Sequence, residues 1–307
     1  MVAGVASAAV LAAVLILGLG SSPIGWRRLR EMPVALEGAG VAPYDNRLWV
    51  VGGVAPDENR TKLKSVEIYD PGTRAWSMGP PLPVALDHAA VVSNGTQLFV
   101  LGGFSTSGSV QTVYRLDSPT GTWQPVRSLP SPRGAGAAAW DGSRIVFAGG
   151  VATDHKDRAD VWALEGDRWR KIGELQRARD KLAAATDHLS TVWFIAGRDE
   201  AAGVSAYPFV DVVHNDRVSP GGRVDAVQGS AAVGVGSAFC MIGGQTPTGF
   251  SGRVQCEGPN PTVPGLDPPR AGLGAAVLGP TVYVIGGYDA NDQGTRTVEA
   301  LDVEGAH

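Results

Sequence analysis

The stretch from Leu48 to Gly53 reads LWVVGG, an apolar run closed by two glycines. Five later stretches share this form: LFVLGG (Leu98 to Gly103), VFAGG (Val146 to Gly150), WFIAG (Trp193 to Gly197), CMIGG (Cys240 to Gly244) and VYVIGG (Val282 to Gly287). The first small residue of each doublet lies at 52, 102, 149, 196, 243 or 286, so the steps are 50, 47, 47, 47 and 43 residues. Such a regular period is the mark of a repeat architecture and predicts one closed array of six units.

The composition favours many short strands. Of 307 residues, 44% are hydrophobic and 18% are charged, so a sizeable core can form and disorder is not expected. The 42 glycines and 21 prolines are spread along the whole chain, which suits tight turns between strands. The net charge is -4, and there is no basic stripe, so we expect no nucleic-acid partner.

The first 25 residues differ from the rest. They contain no charged side chain, and Val2 to Leu19 is almost continuously apolar, at the short end of what spans a bilayer. We predict an N-terminal hydrophobic helix over residues 1–25 that is a signal peptide or a transmembrane anchor, since an all-round apolar helix has no place in a β repeat array. The segment lacks a basic n-region and a clear cleavage site, which favours a retained anchor.

The side of the membrane is open to two interpretations. Arg27, Arg28 and Arg30 follow the apolar segment, and the positive-inside tendency would place them in the cytoplasm. However, these arginines are expected to belong to the first strand of the repeat array. We therefore expect a membrane-anchored protein whose repeat domain, residues 26–307, is extracytoplasmic.

Two cysteines, Cys240 and Cys256, fall in the fifth unit. Adjacent antiparallel strands could bring them together, so a disulfide is possible in an oxidising compartment. The alternative is that both are small buried apolar residues.

The units share an order of elements. Val66 to Tyr69 alternates as a strand does, Asp70 to Thr73 has turn residues, and Trp76 begins a further strand. An Asn94-Gly95 hairpin turn then joins the next small, apolar strand to LFVLGG. The tryptophan recurs at Trp123 and Trp169, whereas the corresponding positions of the later copies fall near Arg217 and Asn260.

The two ends of the repeat region complement each other. Trp26 precedes Gly52 by 26 residues, as Trp76 precedes Gly102, so the region opens with a lone Trp strand. It stops after Val298 to Asp302, a third strand without a fourth. We therefore expect Trp26 to Leu29 to supply the outer strand of the last sheet, which would remove both open edges of the ring.

These features resemble the kelch family over roughly residues 26–307. The Gly doublet after an apolar strand, the Asp70-x-x-Thr73-x-x-Trp76 turn and the Leu82-Pro83 pair match the family pattern. The match weakens in the fourth to sixth units, where Ala196 replaces the first glycine of a doublet and the tryptophan is lost. The resemblance implies an all-β fold: a six-bladed kelch-type β-propeller with four strands in each blade, closed by the N-terminal strand.

In such a ring the first strand of each blade lines the central channel, where small side chains are needed. Six triplets fit there: Gly38-Ala39-Gly40, His88-Ala89-Ala90, Gly136-Ala137-Ala138, Leu182-Ala183-Ala184, Ser230-Ala231-Ala232 and Gly274-Ala275-Ala276.

The loops between the second and third strands lie on the same face of the ring as the connections between blades. We call this face the loop face, and we call the opposite face, which carries tight turns, the turn face. The loops are polar or Gly-rich: 55–65, 105–109, 151–159, 198–205, 245–252 and 288–296. Variable loops on a rigid ring are suited to binding a partner.

Charged residues are expected around the channel mouth on the loop face: Glu37, Asp87, His88, Arg133, Arg179, Asp180, Arg223 and Arg270. Converging arginines could bind a carboxylate or a phosphate. The favoured alternative is that they pair with Asp and Glu of neighbouring blades and hold the ring together. We therefore favour the structural role for these residues and keep ligand binding as the second hypothesis.

No catalytic or cofactor motif is found. The five histidines lack metal-ligand spacing, and there is no nucleophile elbow, P-loop or dinucleotide fingerprint, so we expect no cofactor, no metal and no catalytic residue. The favoured function is a non-enzymatic module that binds a protein or carbohydrate partner on the loop face. The first alternative is an exported sugar-acid epimerase similar to kelch-type sialic-acid mutarotases, with Arg133, Arg270, Glu37 and His88 as candidates. The second is a scaffold subunit of a membrane assembly.

Overall fold

The computed structural model describes residues 25–56, 59–258, 263–291 and 293–303, and all its regular elements are β-strands. The hydrophobic helix expected over residues 1–25 lies, except for Gly25, outside the described residues. Within the described ranges, no helix has the length and the apolar character needed to cross a membrane.

The strands form six antiparallel sheets, which are the blades of a propeller. The innermost strands are Gly40–Tyr44, Ala90–Ser93, Ala137–Trp140, Ala183–Thr186, Ala231–Val235 and Gly274–Leu278. The second strands are Arg47–Val51, Leu98–Leu101, Ile145–Ala148, Thr191–Ile195, Ala238–Ile242 and Thr281–Ile285. The third strands are Val66–Asp70, Val113–Leu116, Asp160–Glu165, Tyr207–His214, Val254–Cys256 and Val298–Asp302.

The outer strands are less regular. Those of blades one to four are Ala75–Met78, Gln124–Pro125, Arg168–Glu174 and Arg217–Val227. The strand expected near Arg217 is thus present without a tryptophan. Blade five has three strands among the described residues, and the strand expected near Asn260 falls outside them. Short hairpins extend two loops: Phe104–Ser105 with Gly108–Ser109, and Gln245–Thr246 with Gly249–Phe250.

The hydrophobic core is divided into six layers, one between each pair of neighbouring blades. The second strands supply most of it because both of their faces are covered; Leu48, Trp49, Val50 and Val51 are all buried. Each innermost strand also contacts the innermost strands of both adjacent blades, including the first with the sixth. The six repeated apolar runs therefore give six blades around one axis.

The N-terminal strand Arg27–Arg28 pairs antiparallel with Val298–Asp302 of blade six, with Arg27 opposite Ala300. The preceding Trp26 behaves like the tryptophans of the other outer strands, because its indole donates a 2.7 Å hydrogen bond to the carbonyl oxygen of Pro264. The corresponding bonds join the indoles to the carbonyl oxygens of the preceding blade: Trp76 to Arg30, Trp123 to Pro80 and Trp169 to Arg127.

Blade five contains a disulfide between Cys240 and Cys256. The two cysteines lie directly opposite each other on the second and third strands of the blade. The bond therefore links neighbouring strands in the blade whose described part lacks an outer strand.

Candidate functional site

A closed belt of six backbone hydrogen bonds surrounds the axis on the loop face. Each bond runs from the N–H of one blade to the carbonyl oxygen of the preceding blade, with lengths of 2.7 to 3.0 Å. The six residues lie just before the innermost strands: Gly38, His88, Ala135, Lys181, Gly229 and Gly272. Because the belt uses its own N–H and C=O groups, these six amides are not available to a ligand.

All six belt residues have a left-handed backbone, with φ between 47° and 62°. Glycine adopts this conformation readily, whereas other L-residues do so at a cost. Three belt residues are not glycine, and two of them, His88 (φ 47°) and Lys181 (φ 48°), have side chains that can form hydrogen bonds. Strained residues of this kind concentrate at functional sites, so these two positions mark the axis as the candidate site.

A cavity of about 110 Å³ lies on the axis and is lined by residues of all six blades. Most of its wall is glycine, alanine and leucine. The polar side chains in the wall belong to His88, Lys181 and Tyr288, and Ser230 also lines the cavity but its hydroxyl is buried. The cavity is thus narrow, with its polar groups supplied by a few side chains.

His88 is held in place by its neighbours. Its Nδ1 lies 3.1 Å from Oδ2 of Asp87, whose Oδ1 accepts a 2.6 Å hydrogen bond from Nζ of Lys62. Burial alone would raise the pKa of Asp87, but His88 and Lys62 outweigh it and hold the pKa below its usual value. The ring packs over Gly38, where a Cβ atom would lie 2.6 Å from Cε1 of His88. Glycine at position 38 therefore makes room for the imidazole.

Buried carboxylates fasten several loops to the ring. Each belongs to a residue immediately before the belt. Glu37 pairs with Arg60 and Asp180 pairs with Arg198, each in the loop of the same blade, whereas Asp87 of blade two pairs with Lys62 in the loop of blade one. Burial raises the pKa of Asp180, and the charge of Arg198 opposes that rise. The loops of blades one and four are therefore anchored at their base.

The arginines expected at the channel mouth do not line the axial cavity. Each lies just before an innermost strand and pairs with an acid on the third strand of the same blade: Arg133 with Asp160 at 3.0 Å, Arg179 with Asp211 at 2.7 Å and Arg270 with Glu299 at 2.6 Å. The side chains of Arg179 and Arg270 are 0% exposed. These three ion pairs therefore lie within single blades. From the sequence, the arginines were expected to pair with acids of neighbouring blades.

The other expected residues occupy different places. His88 lines the cavity, Asp87 supports it, and Glu37 is buried beneath a loop. Arg223 lies on the outermost strand of blade four, with its guanidinium 5.2 Å from the ring centre of Phe209, so it is not at the channel mouth. Its position in an irregular 11-residue strand could not be read from the repeat spacing.

Sequence reasoning missed Lys181 and Tyr288. A signal for Lys181 exists: belt residues precede the first small residue of each doublet by 14 positions in five blades, as Gly38 precedes Gly52, and by 15 in blade four. Tyr288 directly follows the sixth Gly doublet, and its ring packs over Gly272. Counting from the doublet would therefore have found both residues.

A second cavity, of about 470 Å³, opens on the turn face between blades two and three. Phe99, Val126, Trp140 and Leu164 form its apolar wall, and Arg115, Arg127 and Arg144 are among the polar residues that line it. It is separate from the axial cavity and shares no lining residue with it.

Comparison with known proteins agrees with this architecture. The family model described as Kelch motif matches residues 36–83, 86–130 and 269–306. The chain is 35% identical over 161 residues to Kelch-like protein 25 of Xenopus tropicalis and to that of Homo sapiens, and 34% identical to that of Rattus norvegicus. Each alignment covers 50% of this chain and 27% of the relative, so the chain spans about a quarter of the length of these relatives.

Among solved structures, the one titled "Structure of YjhT" superposes with a TM-score of 0.73 and covers 89% of this chain and 99% of that chain. Its 15% sequence identity supports the shared fold alone. The matched kelch segments correspond to blades one, two and six. The chain is therefore a six-bladed β-propeller with kelch motifs in blades one, two and six.

Proposed function

We propose that this propeller is a non-enzymatic binding module that holds a protein partner on its loop face. The observation that carries the proposal is the placement of the arginines. Arginines that the sequence suggested for an acidic ligand are not free to bind one, because Arg179 and Arg270 are fully buried in ion pairs. What the loop face presents instead is a set of loops anchored on a rigid ring, which is the arrangement of a recognition surface.

The side chains on this face suit a protein surface. Half-buried aromatic residues lie on or beside the loops: Phe104, Tyr207, Phe250 and Tyr288. Phe250 and Tyr288 belong to different blades and pack edge to face, with ring centres 5.6 Å apart. Exposed charged residues on the loops of the same face include Lys156 and Glu200. Aromatic residues with a polar rim are typical of protein–protein interfaces.

Matched surface variants test the proposal. The loop-face variant combines Lys156→Glu with Phe250→Ala, and the turn-face control combines Asp167→Lys with Leu189→Ala, whose side chain is 81% exposed. Each protein is immobilised and used to capture partners from an extract of the source cells, and the affinity of each captured protein is then measured. A partner retained by the wild type and the control, but bound at least tenfold more weakly by the loop-face variant, supports the proposal. Equal binding by all three proteins would refute it.

A carbohydrate-modifying enzyme is the second candidate. The observation in its favour is the Asp87–His88 pair beside the axial cavity, because a carboxylate-oriented imidazole can act as a general base. Against it, the cavity of about 110 Å³ is smaller than the roughly 300–1,000 Å³ of common ligand pockets. Thermal-shift screening with sugar acids, followed by NMR of anomeric exchange, tests this candidate directly.

The location of the protein is part of the same proposal. The apolar segment from Val2 to Leu19 is suited to membrane targeting, and the Cys240–Cys256 disulfide is suited to an oxidising compartment. Both support an extracytoplasmic propeller tethered by its N-terminal segment. Fractionation of cells that express the full chain, combined with thiol labelling before cell lysis, would test the tether and the compartment.

Closure of the ring by the N-terminal strand is also proposed. Its support is the pairing of Arg27–Arg28 with Val298–Asp302, and the Trp26 indole bond that repeats the bonds of the other outer-strand tryptophans. The strand would cover the edge of blade six, which would otherwise present unpaired backbone groups.

A further inference from the structure

Two loops of the loop face meet through a pair of carboxyl groups. Asp157 lies near the end of the loop 151–159 of blade three, and Asp199 lies near the start of the loop 198–205 of blade four. Each residue is held by a backbone bridge within its own loop. A side-chain hydrogen bond joins the two carboxyl groups. Such a bond requires a proton on one of them, because ionised carboxylates only accept hydrogen bonds.

Asp157 is the more enclosed member of the pair. The residue is 8% exposed, its Oδ1 is buried without a hydrogen-bond partner, and it forms no ion pair with any described residue. Arg198, whose charge acts on Asp157, pairs instead with Asp180 at 3.0 Å and with Glu200 at 2.6 Å. A buried carboxylate without a counterion is costly, so this environment favours the neutral form of Asp157.

The acceptor of the shared hydrogen bond is Asp199. Its Oδ1 also accepts a 2.9 Å hydrogen bond from the N–H of Ala202, so its carboxylate already serves as an acceptor in its own loop. The proton between the two loops therefore belongs to Asp157, whose O–H group donates to Asp199.

Charges around Asp157 set the pH range in which this proton is lost. Burial raises the pKa of Asp157 from 3.8 to about 7, the charges of Asp180 and Asp199 add to the rise, and Arg198 opposes it. Because the folded value lies above the unfolded one, the stabilisation by neutral Asp157 is complete below pH 3.8 and is lost as the pH rises through about 7. Two further titratable groups face Asp157, Tyr207 of blade four and Arg158 of its own loop.

We propose that the Asp157–Asp199 contact is a proton-dependent link between the loops of blades three and four, closed while Asp157 carries its proton and open once that proton has passed to solvent. When both carboxylates are ionised, no hydrogen bond joins them and their like charges repel each other. The link is a property of the free protein and does not depend on a partner. Its effect on the shape of the partner-binding surface rests on the proposed function.

Hydrogen–deuterium exchange of the free, full chain at pH values of about 6 and about 8, on either side of the pKa of Asp157, tests the link. Each rate is divided by the intrinsic exchange rate at that pH, and EDTA removes metal ions that could bridge the carboxylates. Asp157→Asn retains a hydrogen-bond donor at every pH, and Asp199→Asn removes the opposing charge. The control is Asp154→Asn, at a side chain in the loop of blade three that is 49% exposed and bonded to Arg158.

In the wild type, protection of segments 151–159 and 198–205 should fall severalfold from the lower to the higher pH, whereas the turn-face segment 141–144 should not change. Asp154→Asn should behave like the wild type, and Asp157→Asn and Asp199→Asn should keep their loop protection at both pH values. The proposal is overturned if the loops of the wild type are equally protected at both pH values, if segment 141–144 loses as much protection as the loops, or if Asp157→Asn loses protection as the wild type does.

Discussion

Arg179 and Asp211 form an ion pair with 2.7 Å between Nη2 and Oδ2, and their side chains are 0% and 1% exposed. The pair joins the segment before the innermost strand of blade four to the third strand of that blade. Arg270 and Glu299 make the same connection in blade six, at 2.6 Å. These buried pairs explain why arginines that seem suited to a ligand are structural.

Breaking the Arg179–Asp211 pair should strongly destabilise the propeller. Arg179→Met leaves the carboxylate of Asp211 buried without its cation, which costs about 3–5 kcal/mol. Urea unfolding followed by tryptophan fluorescence measures the loss. Arg253→Met is the control, because Arg253 and Asp225 form an exposed pair (70% and 39%), and its effect should stay below about 1 kcal/mol. Similar losses in the two variants would contradict the structural role.

Glu67 should make stability depend on pH. It occupies the position of Asp211 and Glu299 in blade one, but Leu36 stands where those blades have arginine. Burial raises the pKa of Glu67 from 4.5 to about 7, partly opposed by the charge of Arg296. Because the pKa in the folded state lies above the unfolded value, the stability contributed by the neutral carboxyl is complete below pH 4.5 and is lost as the pH rises to about 7.

The Glu67→Gln variant should not lose stability in this way, because a glutamine side chain does not ionise. The variant should be more stable than the wild type above pH 7, by up to about 3 kcal/mol, and the difference should shrink toward pH 4.5. Thermal unfolding across this range provides the measurement. Glu31→Gln, at a side chain that is 64% exposed, should have little effect. Some dependence remains in Glu67→Gln because burial and nearby carboxylates also raise the pKa of Asp157 to about 7. A constant difference across the range would argue against a titrating Glu67.

The disulfide should stabilise blade five. Cys240 and Cys256 are 16 residues apart, and a loop of that length gives about 3 kcal/mol in the chain-entropy model. Dithiothreitol should therefore lower the unfolding temperature of the wild type. It should leave the Cys240→Ala/Cys256→Ala double variant unchanged, and that variant should match the reduced wild type. An oxidised wild type no more stable than the double variant would contradict this prediction.

The number of blades could be predicted from the sequence, whereas the site was predicted only in part, since His88 was expected at the axis and Lys181 and Tyr288 were not. Six doublets such as Gly52-Gly53 and Gly102-Gly103 recur because every second strand ends beside the crowded axis, so the spacing alone counts the blades. The small-residue triplets predicted for the axis do not start at the same point in every blade relative to the belt residue. In blades three and five, small residues flank Ala135 and Gly229, so composition does not show which position forms the belt. Lys181 was missed because it is the one long, charged side chain at a position otherwise dominated by small residues.

The repeat pattern also could not identify the acidic residues that pair with the arginines. Arg270 and Glu299 lie 29 residues apart, and the repeat contains other acids at comparable separations. Only the strand register shows that the third-strand acid of the same blade is within reach. Burial then decides the outcome, because an arginine enclosed by protein is stabilised by a close counterion and cannot also serve a ligand.

Closure by the N-terminal strand can be tested with one proline. The N–H of Leu29 donates a 2.9 Å hydrogen bond to the carbonyl oxygen of Val298, and Leu29→Pro removes that donor. We expect a loss of about 1–3 kcal/mol and faster amide exchange in Val298–Asp302. Unchanged stability together with unchanged exchange in that strand would mean that the N-terminal strand does not hold the ring.

Hydrogen–deuterium exchange of the propeller, free and bound to a partner identified by the capture experiment, tests the central claim most directly. Amide protection should appear in the loop-face segments 151–159, 198–205 and 245–252, and should be absent from the turn-face segments 94–97, 141–144 and 187–190. Protection confined to the turn face, with unchanged exchange in the loops, would contradict binding on the loop face.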